Sequence, residues 1–220
     1  MDQNRQKHLY LLLLCLGIVP FLINGWINSL IAQSPWAYWS FELVSWVLIP
    51  VLVFLVAGRN GLGLSDLGLD ARVFGRKDVL LVAVLCVIFC PVNLWVYKHT
   101  YKFFEALLPS TPYFQYETIV PTKGVMKVVV AFYFSLSAGI VEELYFRGFI
   151  YRVSRFFSRP AVVYMVFSPL VFAMVHWEGG PSNLLATYVF GLFNGIAFLA
   201  MGNLWPLIIG HIFTDYVWFN

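Results

Sequence analysis

Seven apolar runs govern what this chain can fold into: Leu9 to Ala32, Phe41 to Ala57, Val79 to Tyr97, Val125 to about Phe146, Ala161 to Trp177, Leu184 to Met201 and Leu204 to Phe219. At about 1.5 Å of rise per helical residue, runs of this size match the roughly 30 Å hydrocarbon layer of a bilayer. Hydrophobic residues make up 60% of the chain and charged ones 11%, and no hydrophilic stretch is long enough for a separate soluble domain. Backbone polar groups in hydrocarbon must be satisfied within the protein, so apolar runs of this length are read as helices. The expected fold is all-α, a polytopic transmembrane helical bundle of seven spans, give or take one, forming a single membrane domain over residues 1–220. No strands are expected.

The run behind Arg5 and Lys7 is too long for a secretory signal peptide and lacks a small-residue cleavage site, so it reads as an uncleaved first span. Cys15, Cys86 and Cys90 fall inside spans and are read as buried thiols, not as a disulfide framework or a Cys-rich zinc site. The net charge of +3 comes from scattered loop residues with no basic helix, which argues against nucleic acid as a partner. Placing the N-terminus in the cytoplasm puts ten Lys and Arg residues inside and four outside, the bias of a correctly oriented multi-pass protein.

Along the chain, the first three spans carry few polar groups besides Asn24, Asn28 and Ser29, and no chemistry is read in them. Gly58 to Asp78 reads as a glycine-punctuated loop with a short amphipathic piece on the membrane surface, not a phosphate cradle, because no Gly-Lys-Ser/Thr follows. Residues 98–124 read as the longest polar connection, an interfacial loop in preference to a lid. Pro169 is expected to kink the fifth span, and Gly191 with Gly195 to allow a close helix approach in the sixth.

The catalytic helices are placed at 125–220, where polar residues occur as three one-face groups. Glu143 and Arg147 stand four apart and form an ion pair, while Glu142, about 100° round the helix, is left for chemistry. His176 follows Phe172 by one turn, and His211 and Asp215 share a face of the last span. Each group alone has a bland reading: a packed imidazole, a structural pair, an intrahelical hydrogen bond. Together, a carboxylate that takes a proton from water and imidazoles that share the water or donate to an oxyanion suffice for acyl-bond hydrolysis. There is no His-Glu-x-x-His helix, no Gly-x-Ser-x-Gly elbow and no intramembrane aspartate pair on neighbouring helices.

Glu142-Glu143-Leu-Tyr-Phe-Arg147, Phe172-Ala-Met-Val-His176 and His211-Ile-Phe-Thr-Asp215 stand in the order of three motifs on successive membrane helices. In this the chain resembles the CPBP family, which includes CAAX prenyl endopeptidases and bacteriocin-processing or bacteriocin-immunity (Abi) proteins. The resemblance implies an intramembrane endopeptidase. In it Glu142 and His176 position and deprotonate water, His211 and residue 215 support the oxyanion, and Glu143 with Arg147 braces the site. Asparagine at the last motif position donates through its amide, whereas ionised Asp215 only accepts, so Asp215 is expected to orient His211. The implied partners are a peptide or protein substrate presented at the membrane and the lipid bilayer, in a bacterial cell membrane. No feature sets an oligomeric state.

No cofactor is expected. The alternatives are zinc held by Glu142, His176 and His211 with water in the fourth position, a non-enzymatic immunity or partner-binding protein, and a proton-relaying transporter. Straight spans would put Glu142 and His211 nearer the cytoplasmic face and His176 deeper, toward the outside. A kink at Pro169, tilt, or a fifth helix starting below the membrane is then needed for the three to meet.

Overall fold

A computed structural model describes residues 2–69, 76–108, 113, 121 and 123–220. Seven helices occupy the seven expected places, and no strand occurs among the described residues. They are α1 (Gln3–Asn28), α2 (Pro35–Arg59), α3 (Arg76–Leu107), α4 (Val125–Ser154), α5 (Pro160–Met174), α6 (Gly180–Met201) and α7 (Trp205–Phe219). Five helices are long and apolar enough to cross a membrane; α5 and α7 have 15 residues each, about 22 Å of helix. Large apolar side chains such as Leu12, Leu16, Leu52, Leu80, Val87 and Val162 are more than half exposed, the surface a lipid-facing bundle presents. The protein is a multi-pass membrane protein.

Several boundaries differ from the sequence reading: α3 and α4 outlast their apolar stretches, and α5 ends at Met174, short of Trp177. Helix α3 runs through Lys98, His99, Lys102 and Glu105 to Leu107, since nothing breaks it before Pro109. Helix α4 continues past Phe146 to Ser154, taking in Arg152. Between residues 58 and 69 the connection is one-sided: Gly58, Arg59, Gly61, Leu64 and Ser65 are exposed, while its other side packs on the bundle. Leu67 is core, Gly68 (φ +77°) accepts from the Leu204 N–H at 3.0 Å, and Asp66 reaches Arg152 at 3.5 Å. Residues 70–75 of that connection, and 109–112, 114–120 and 122 of the loop read at 98–124, lie outside the described residues. The thiol reading also changes: Cys15 is exposed and Cys86 and Cys90 are half-buried.

Close helix contacts set the frame of the site. A Cβ on Gly139 of α4 would stand 3.0 Å from the Ile212 backbone nitrogen of α7, and one on Gly210 of α7 would stand 3.0 Å from the Phe89 carbonyl oxygen of α3. Gly191 of α6 backs onto Pro169 of α5, where a Cβ would meet Pro169 Cα at 3.1 Å; Gly195 is looser, with Met165 Sδ at 3.6 Å. Small residues therefore bring α7 against α3 and α4, and α6 against α5, at backbone distance. Helix α4 opens into a π-helical stretch over Glu143–Phe149, and α2 does the same over Val44–Leu48. Such widened turns recur at functional sites.

Candidate active site

Glu142, Glu143 and Arg147 stand near the middle of the long α4 and are buried, with Glu143 and Arg147 showing no exposure. Arg147 Nη1 lies 3.1 Å from Glu143 Oε1, and its guanidinium lies over the Phe172 ring at 4.2 Å. A buried guanidinium is tolerable only with such partners. The same Glu143 oxygen accepts from His211 Nδ1–H at 2.8 Å. That orienting bond was expected from Asp215. Asp215 Oδ2 instead stands 3.5 Å from His211 Nε2, on the other side of the ring. Glu143 is the second carboxylate that sequence reasoning assigned to Arg147 alone.

His176 sits just beyond the end of α5, where its Nδ1–H donates to the Phe172 carbonyl at 2.7 Å and its ring packs on Phe172 at 4.7 Å. With Nδ1 as the donor, Nε2 of the neutral ring carries the lone pair. That atom is 3.8 Å from Glu142 Oε2, and His211 Nε2 is also 3.8 Å from Glu142 Oε2. The three side chains thus converge. Their meeting follows from helix length: Gly148 of α4 lies against Leu204 at the start of α7, so Glu142, six residues back, is level with His211, seven residues on. On α5, the Ser168 hydroxyl donates to the Phe146 carbonyl, so stepping back from Phe146 along α4 and on from Phe172 along α5 leads to Glu142 and His176.

Glu142, His176, His211 and Asp215 line one cavity of about 460 Å³, whereas Glu143 and Arg147 lie behind its wall. Sequence reasoning missed a supporting chain here: Tyr97 O–H donates to Asn183 Oδ1 at 2.8 Å, and Asn183 Nδ2 donates to the His176 carbonyl at 3.2 Å. It also missed Glu42 and Tyr38 of α2, which line the cavity and are 3% and 1% exposed. Glu42 had a readable signal, a carboxylate inside an apolar run. Among the described residues no group of three or more His, Cys, Asp or Glu side chains is spaced to hold a metal ion.

A family model described as type II CAAX prenyl endopeptidase Rce1-like matches residues 124–217, the part of the chain that carries all three motifs. No curated protein and no solved structure matches the chain.

Proposed function

We propose that the chain is an intramembrane endopeptidase that hydrolyses its substrate with glutamate-activated water, a reading supported by the match of residues 124–217 to the Rce1-like type II CAAX prenyl endopeptidase model. The substrate class is a lipidated, leader-bearing or membrane-anchored peptide or protein, cut near the membrane. The observation that carries this reading is the placement of two imidazole Nε2 atoms, each 3.8 Å from one buried Glu142 oxygen in a single cavity. Separations of that length suit a bridging water better than a direct bond. In the proposed cycle such a water gives one hydrogen bond to His176 Nε2 and its proton to Glu142, and its oxygen attacks the scissile carbonyl carbon. The imidazolium form of His211, anchored through Nδ1–H to Glu143, donates Nε2–H to the oxyanion. As the C–N bond breaks, protonated Glu142 returns its proton to the leaving amine, giving a carboxylic acid and an amine.

Glu142→Gln keeps size and hydrogen bonding while removing the base. With peptides presented in proteoliposomes, it is expected to lower kcat/KM by about 10²- to 10⁴-fold while inserting and eluting like the parent. Undiminished cleavage by Glu142→Gln removes the reading.

A further inference from the structure

The cavity carries a charge pattern that water activation does not use. Its lining includes the acids Glu42, Glu142, Glu178 and Asp215 and, among the described residues, no lysine or arginine. Glu42 is 3% exposed and has no hydrogen bond or ion pair among the described residues. Asn28, also 3% exposed and lining the cavity, has both side-chain polar atoms buried without a partner. Unpartnered buried polar groups are costly, and a carboxylate and an amide lining one cavity are matched by a ligand rich in N–H donors. Helix α2 runs beside α4 in the same direction, with Trp39 stacked on Phe134 and Phe54 packed on Tyr145. Glu42 is therefore level with Ser137, five residues before Glu142, an axial step of about 7 Å. That is about two residues of extended peptide.

Resting on the proposed protease reading, we infer that Glu42, with Asn28 and Tyr38, forms a subsite for a basic substrate side chain two or three residues from the scissile bond. A free substrate carboxylate there would face the Glu42 carboxylate. Glu42 thus sets specificity and takes no part in bond cleavage.

The test uses the full-length protein in proteoliposomes and a peptide library with one farnesylated cysteine and randomised neighbouring positions, read by mass spectrometry. The parent is expected to cut preferentially where Lys or Arg stands two or three residues from the cleaved bond. Glu42→Gln should reduce the preference about tenfold or more, and Glu42→Lys should turn it toward Asp and Glu. In the non-cleaving Glu142→Gln protein, a fluorescent arginine peptide should bind more tightly than its citrulline twin, and Glu42→Gln should abolish the difference. Cleavage without basic preference, or equal binding of the two peptides by folded protein, overturns the subsite and leaves the protease reading standing. If no library member is cut while the arginine peptide binds selectively, the protease reading falls and the subsite survives.

Discussion

At the scale of single residues, Glu143 does more than the sequence reading allowed, because one oxygen serves both Arg147 and His211. Glu143→Gln should destabilise the protein by about 3–5 kcal/mol, leaving the guanidinium buried without its counter-charge. Pairing Glu143→Gln with Arg147→Met should recover much of that stability, measured by thermal unfolding in detergent, yet not activity, since His211 still lacks its carboxylate. Recovery of both would mean that His211 needs no charged anchor. Metal content checks the other role assigned to these side chains: purified active protein should contain no stoichiometric zinc and keep its activity in chelators. Zinc lost together with activity would instead make Glu142, His176 and His211 ligands. The six candidate residues were readable because charge inside an apolar run has few bland explanations. Their pairing was not, because helical spacing relates residues on one helix, and the Glu143 to His211 bond joins two. Glu42 was legible by the same rule and was passed over for want of a neighbour in sequence.

Among the elements, glycine positions decide whether the site assembles. Gly139→Ala would press a methyl group onto the Ile212 backbone, which can move only with the whole of α7. Overpacking of this kind costs about 1–3 kcal/mol. The larger effect expected is on activity, since moving α7 off α4 separates His211 from Glu142. Gly195→Ala, with only ordinary contacts around its new Cβ, should leave activity near the parent's. Equal loss in both variants would show that α6 and α7 are equally sensitive and would discount the α4–α7 contact. Apolar period and length placed all seven helices in the sequence, but their ends were misjudged wherever helix continues into polar residues, as in α3 and α4. Those misjudged ends created the apparent mismatch in depth between Glu142 and His176. Once α4 reaches Ser154, Glu142 is twelve residues from that end and His176 sixteen residues from the start of α5, so no kink at Pro169 is needed for them to meet.

For the whole molecule, orientation decides which compartment supplies the substrate. The cavity extends to the end of the bundle away from the N-terminus, since Asn28 near the end of α1, Tyr101 late in α3, Glu178 ahead of α6 and Trp218 late in α7 all line it. Arg147, one of the ten cationic residues assigned to the inside, is buried in the bundle and drops from the topological count, which leaves nine against four. The bias still favours a cytoplasmic N-terminus, because Arg152, Arg155 and Arg159 cluster at the α4–α5 turn on the same side as Arg5 and Lys7. In that orientation the cavity would face outward, and the proposed substrate would be an exported or membrane-embedded peptide, because a cytoplasmic prenylated tail could not reach the cavity without crossing the bilayer. Reporter fusions read this directly: alkaline phosphatase joined after Asn220 should be active, and green fluorescent protein at the N-terminus should fluoresce. The reverse pattern would turn the cavity to the cytoplasm and make a lipidated cytoplasmic C-terminus the substrate to try first.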